Sequence, residues 1–384
     1  MRQQISPESE IRSQEEADKK RGSTARRFSA RSQEPRAKSQ RALAAAVCLA
    51  AACSLCAGEP AGAELQRFQF AQPHMGTLYR IVLYAPGEDA AKRASGLAFT
   101  RIAQLDACLS DYKPDSELMR LCDKAGGEAV PVSAELFDIL KASLNTSRAS
   151  HGAFDISVGP LVRLWRIARR NHEMPPPDLL AQAKALVGYE KIVLDEQART
   201  ARLLQKGMQL DLGGIAKGYA ADEAIAVLRK EGIERALAVA GGEVVASGAP
   251  PGLEGWTVGI APLEDPEMPP SIYLLLHDAA VSTHGDAEQH VEIGGVRYSH
   301  LVDPRTGLGL TGRSSVSIVS PKGVMSDSMG AAVAILGPEA GLKMIDSIPG
   351  MSALFIQATG HGEKVYESQR WKDVPKTKAK DERK

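Results

Sequence analysis

Asp211-Leu212-Gly213-Gly214-Ile215-Ala216-Lys217-Gly218-Tyr219-Ala220 runs straight into a helical pattern over 218–231. Ala220, Ala224, Val227 and Leu228 fall on one face of that pattern, and Gly232 is its natural stop. Glycines ahead of a helix let the backbone approach a ligand, and a helix N-terminus favours anions. Lys217 adds a positive charge at the same end. The G-x-x-x-x-G-K-[ST] spacing of a P-loop is absent, so the stretch does not begin a P-loop nucleotide-binding sheet. Taken alone it reads equally as an anion site or as a tight turn carrying a surface lysine.

Working outward, 77–85 alternates like a strand, and 90–109 carries Leu97, Ala98, Ile102, Leu105 and Leu109 at helical spacing. Ser133 is placed to cap a helix holding Leu136, Phe137, Leu140 and Leu144. Short strands are expected at 235–240, 256–260, 271–276, 315–320 and 353–357. Proline-rich breaks at 175–177, 250–251 and 269–270 read as loops. Helices and strands mix without strict βαβ alternation, which predicts an α+β fold. One domain is expected over 64–367, followed by a charged, disordered tail over 368–384.

Residues 1–63 differ from the rest. A basic segment with Lys19, Lys20, Arg21, Arg26, Arg27 and Arg31 precedes the small apolar run 42–58 and an A-x-A pattern at Ala61-Gly62-Ala63. This is the pattern of a secretory signal, so export is expected, to a periplasm or the outer face of an inner membrane. Membrane association is expected only through lipid on Cys53. Among 384 residues, 43% are hydrophobic and 24% charged, with zero net charge, which gives no sign of a nucleic-acid partner. Beyond the signal only Cys108 and Cys122 remain, and their spacing leaves open a disulfide or two buried thiols.

Three further stretches could carry chemistry. Tyr298-Ser299-His300-Leu301-Val302-Asp303-Pro304-Arg305-Thr306-Gly307 presents a His, an Asp and an Arg around a turn, which suits proton transfer or phosphate contact. His151-Gly152-Ala153-Phe154-Asp155 is a loop able to pack a planar ring. Ser326-Asp327-Ser328-Met329-Gly330-Ala331 opens an apolar helix, where an Asp is ordinarily a helix-terminus charge.

In this order, and with Met75-Gly76-Thr77, Ser110-Asp111-Tyr112, Gly241-Gly242-Glu243 and Thr283-His284-Gly285-Asp286, these stretches resemble the ApbE family of FAD:protein FMN transferases over about residues 75–350. The resemblance implies an ApbE-like, T-fold-like α+β fold with FAD in a cleft between two lobes. It implies Mg2+-dependent transfer of FMN from FAD to a Ser or Thr hydroxyl of an acceptor flavoprotein, with release of AMP. A FAD pyrophosphatase, or a FAD-binding protein with little transfer, goes with the same motifs. The metal ligands implied are the Gly214 carbonyl, Asp327 and the residue at 331. FAD contacts are implied at Met75, Tyr112, Gly152, Ala153, Phe154, Asp211, Lys217 and Leu301. His300, Asp303 and Lys217 are the residues expected to carry catalysis. The family pattern has a Thr four residues after the Asp, and this chain has Ala331. It also has His284 where the family usually has Ser.

Overall fold

The computed structural model describes residues 64–378, apart from 264–267 and 286–289. The expected signal at 1–63 therefore lies outside the described residues. Eight strands form the main sheet: β1 (Gln66–His74), β2 (Thr77–Ala85), β3 (Ala236–Ala240), β4 (Glu243–Ser247), β5 (Ala280–Gly285), β6 (Ser314–Ser320), β7 (Ser352–Thr359) and β8 (Gly362–Glu367). They lie side by side in chain order, and every neighbouring pair is antiparallel. Hairpins and helical excursions are enough to connect such a sheet, so the expected α+β class is the one found.

Alternation along the strands divides the core in two. Ile81, Leu83, Ala236, Ala238 and Ala280 point to the face covered by helices α1 (Glu88–Leu109), α2 (Glu117–Asp123) and α3 (Ala134–Ala149). The same face carries α6 (Ala216–Lys230), between β2 and β3 in the chain. Helices α4 (Gly159–Asn171) and α5 (Pro177–Leu186) precede it and close a smaller cluster around Trp165. Val82, Val244, Val281, Leu354 and Ile356 point the other way, onto Trp256, Leu274 and Trp371. Beneath β6 and β7 lies α7, Gly323–Asp346, which breaks at Gly337 (φ 77°) ahead of Pro338. A Pro has no N–H to continue the ladder, and Gly pays least for the left-handed residue before it.

Two expectations are corrected. The segment 368–378 is not a disordered tail: Trp371 is fully buried, Ser368 is buried, and Lys376–Thr377 pairs with Ile272–Leu276. A large aromatic surface removed from water outweighs the ordering cost that the surrounding charges suggested. The break at 175–177 ends one residue early, because Pro177 begins α5, where its missing N–H costs nothing.

Among the described residues, Cys108 and Cys122 are both free. The Cys108 thiol lies 3.2 Å from Glu117 Oε2, and Cys122 Sγ accepts the Leu210 N–H at 3.3 Å. Burial pushes Cys108 up to about 12 and Cys122 up to about 11. The thiolate is the reacting form, so alkylation of the native protein at pH 8 should run on the order of 200-fold (Cys122) to 2000-fold (Cys108) below a free thiol. Iodoacetamide labelling with and without denaturant checks this; fast native labelling at either position contradicts it.

Candidate functional site

The N-terminal turns of α6 and α7 meet at two glycines. A Cβ on Gly218 would lie 2.1 Å from the Gly323 carbonyl oxygen, and one on Gly323 would lie 2.6 Å from that of Gly218. Neither helix has a side-chain cap of its own. Each is capped by the other: Asp222 of α6 accepts the N–H groups of Gly323 (2.7 Å) and Val324 (2.9 Å), and Asp327 of α7 accepts that of Gly218 (2.9 Å). Asp327 is therefore a helix-terminus charge, but for the neighbouring helix.

That bond uses Oδ2 of Asp327 and leaves Oδ1 buried without a partner. Two other orphaned atoms converge on it: Nε2 of His284, on β5, at 3.5 Å, and Oε2 of Glu243, at the start of β4. Ligand atoms of the three residues all lie within 4.8 Å of one another. Gly242 allows this approach, since a Cβ there would meet the Thr283 carbonyl oxygen at 2.5 Å. Lys217 is the cation of the group, 3.2 Å from Glu243 Oε1 and 3.3 Å from the Gly213 carbonyl. Burial, with Asp327 adding like charge, raises Glu243 to about 8 against the pull of Lys217. Burial lowers His284 to about 4. For Lys217, burial is outweighed by Asp327 and Glu243, which hold it above the usual lysine value. Buried carboxylate and imidazole atoms lacking partners are a donor set that fits a divalent cation.

The glycine turn before α6 faces the same place. A Cβ on Gly214 would lie 3.4 Å from Phe154 Cε2 and 3.5 Å from the Ala331 methyl. Phe154 belongs to a loop that begins with His151 (φ 50°) and Gly152 (φ 78°). Asp155 sets this loop by accepting Ser157 N–H (2.8 Å), Ser157 O–H (2.6 Å) and Tyr189 N–H (2.8 Å). Ala153 is buried beneath it. Met75 sits in the two-residue turn between β1 and β2, with φ of 48° and 72° at Met75 and Gly76. Tyr79 links this turn to α6, its hydroxyl 3.3 Å from Met75 Sδ and 3.4 Å from the Lys217 carbonyl. A groove of about 480 Å³ runs past Met75, Thr77 and Asp106.

Asp211 and Tyr112 meet at a residue that sequence reasoning missed. Arg166 of α4 bridges Asp111 (2.5 Å) and Asp211 (2.9 Å), and its guanidinium lies 4.2 Å from the centre of the Tyr112 ring. Tyr112 is 72% exposed, which leaves its other face open. Asp211 Oδ1 also accepts the Gly213 N–H (2.8 Å), so it shapes the glycine turn. The basic pattern of 163–170 was the available signal, but it reads as an ordinary solvated helix face.

On the strand Val296–Val302, Leu301 packs against two parts of the core, and His300 is near enough to His284 to interact with it electrostatically. Asp303 departs from its expected role. Its carboxylate accepts three bonds from Arg305 at 2.9 Å each, and its carbonyl accepts the Gly307 N–H at 2.8 Å. The Gly307 carbonyl in turn takes the Trp165 indole N–H at 2.8 Å. Asp303 thus builds the turn that follows His300, and proton transfer is not what its surroundings equip it for.

The ApbE family model matches residues 75–355, which is most of the chain and includes every residue of this site. The chain belongs to the ApbE family. A FAD:protein FMN transferase of Treponema pallidum is 33% identical over 326 residues, covering 81% of this chain and 89% of the relative. One of Escherichia coli K12 is 32% identical over 307 residues, covering 78% and 86%. Among solved structures, the flavin transferase ApbE of Vibrio cholerae superposes with a TM-score of 0.74 at 27% identity, covering 81% of this chain and 99% of that one. The ApbE protein of Thermotoga maritima gives 0.72 at 26%, covering 81% and 100%. The ordered segment 368–378 lies beyond the ApbE match. Within the match, the fold brings His284 to Asp327, and Ala331 lies one turn after Asp327 on the same helix.

Proposed function

We propose that this chain transfers FMN from FAD to a Ser or Thr hydroxyl of an acceptor flavoprotein, releasing AMP. The observation that carries this is the convergence of Gly214, Lys217, Phe154 and Asp327 where two helix N-termini cross. A lysine and a cation site at one point suit a pyrophosphate; an aromatic wall beside it suits a flavin nucleotide. In the reaction the acceptor oxygen bonds to the phosphorus of the FMN half, and the bond from that phosphorus to the bridging oxygen breaks. AMP leaves with the bridging oxygen. Lys217 offsets charge on the phosphates, and its bridge to Glu243 keeps it aimed inward. His300 is the group proposed to take the acceptor's proton. Asp303 and Arg305 hold the turn that positions it. Asp327 and Glu243, with the Gly214 carbonyl, are the oxygen ligands available to Mg2+. When bound, that ion supplies charge neutralisation on the pyrophosphate.

The basic and apolar segment 1–63 supports a site of action outside the cytoplasm. The test is mass spectrometry of an exported acceptor bearing a Ser/Thr attachment motif, after incubation with FAD, Mg2+ and this protein. A gain of one FMN moiety is expected. Ala331, which brings no hydroxyl, favours a second reading as a flavin binder of low activity; FAD binding with no adduct would establish it.

A further inference from the structure

The three orphaned atoms at Asp327 differ in kind. Two are carboxylate oxygens and the third is an imidazole nitrogen. The nitrogen has been given room. A Cβ on Gly330 would lie 2.1 Å from His284 Cδ2 and 2.6 Å from its Nε2, so only a glycine at 330 lets the ring lie against α7. One residue further on, Ala331 offers a methyl where a hydroxyl donor is missing. His284 is buried, with 7% of its side chain exposed, and Asp327 is fully buried. A ring inserted so closely beside two carboxylates, with its Nε2 unpaired, needs a reason. Two ligands of one cation bound at about 2.0–2.2 Å stand roughly 3–4 Å apart. The 3.5 Å between His284 Nε2 and Asp327 Oδ1 is that spacing.

We propose that His284 is a metal ligand, which with Asp327 and Glu243 makes a mixed nitrogen–oxygen centre selective for divalent transition ions over Mg2+. Mg2+ is a hard ion that prefers oxygen donors, whereas imidazole suits Zn2+ and Fe2+, and Mn2+ accepts it more readily than Mg2+ does. The imidazole supplies the donor that a residue without a hydroxyl at 331 does not. The inference deepens the transferase reading and depends on it only for placing the pyrophosphate beside the ion.

The test is made on the whole chain, stripped with chelator, without FAD or acceptor. Calorimetric titration should show one site that binds Mn2+ and Zn2+ about 10–100-fold more tightly than Mg2+. Pulsed electron paramagnetic resonance of bound Mn2+ should show coupling to a ¹⁴N nucleus. His284→Ser should abolish that coupling and narrow the preference. His284→Ser with Ala331→Thr should restore binding with an all-oxygen preference for Mg2+. Absence of stoichiometric Mn2+ and Zn2+ binding overturns the proposal, as does bound Mn2+ without nitrogen coupling; both are read on the unmodified protein even if a variant fails to fold. A hydrogen shared between Glu243 and Asp327 would then account for the cluster. Nitrogen-coupled metal with no flavin transfer sinks the transferase reading and leaves the metal centre. Flavin transfer with Mg2+ and no nitrogen coupling does the reverse.

Discussion

Asp327→Asn is expected to lower flavin transfer by about 10²–10³-fold, the usual cost of removing one preorganised electrostatic group from an active site. The fold should survive. An amide oxygen can still accept the Gly218 N–H, so the cap on α6 is kept. The substitution also removes a buried charge whose Oδ1 has no partner and which faces Glu243. Relief of the repulsion from Glu243 opposes the lost attraction to Lys217, which keeps its bridge to Glu243, so the metal-free variant should melt within a few degrees of the wild-type temperature. Asp327→Ala separates the two roles. It should lose the same activity and, in addition, about 0.5–2 kcal/mol of stability with the cap. Thermal melts and an adduct assay on both variants check this pattern. Asp327→Asn with more than a tenth of wild-type activity would take the aspartate out of the reacting centre.

Gly218→Ala should damage stability and activity together. The added methyl meets the Gly323 carbonyl oxygen at 2.1 Å and Asp327 Cβ at 2.8 Å. Both are backbone or tightly held atoms, so the clash is relieved only by moving α6 and α7 apart. Overpacking of this kind costs about 1–3 kcal/mol or more, a fall on the order of 5 °C in melting temperature. Separation also stretches the two reciprocal caps and pulls Lys217 away from Asp327, so transfer should fall more than the melting shift alone explains. Gly232→Ala is the control. Its φ of 78° imposes a backbone penalty of about 1–2 kcal/mol, but nothing lies within 4 Å of the new methyl. It should destabilise without lowering activity in the folded range. A Gly218→Ala protein with wild-type melting and turnover would mean that the helices do not meet as described.

The local pieces were readable because they follow from local chemistry. Strand 77–85 alternates, Ser133 caps α3 as its spacing required, and Gly232 ends the glycine-led helix. The ApbE-type residues Gly214, Lys217, Phe154 and Asp327 were picked out as a set. Their meeting was not in the spacing of any one motif. Arg166 was missed because an arginine on a basic helix face gives no sign of the two acidic residues it bridges, 55 and 45 residues away. Asp303 was misassigned because a turn aspartate and a proton-transfer aspartate look the same until Arg305 is seen on its carboxylate. The segment 368–378 was misread because its charges dominate its composition, while its position depends on one buried tryptophan.

The sequence by itself determined the α+β class, the helix ends and the residue types at the site, since periodicity, caps and glycine turns are properties of neighbouring residues. Only the tertiary structure decided what those residues do. Hydrogen bonds and desolvation act through space, and β4, β5 and the two helices bring Glu243, His284 and Asp327 together from positions 41 and 43 residues apart in the chain. Read along the chain, Ala331 is a donor lost; read in space, an unpaired imidazole stands across the site, over a glycine that admits it.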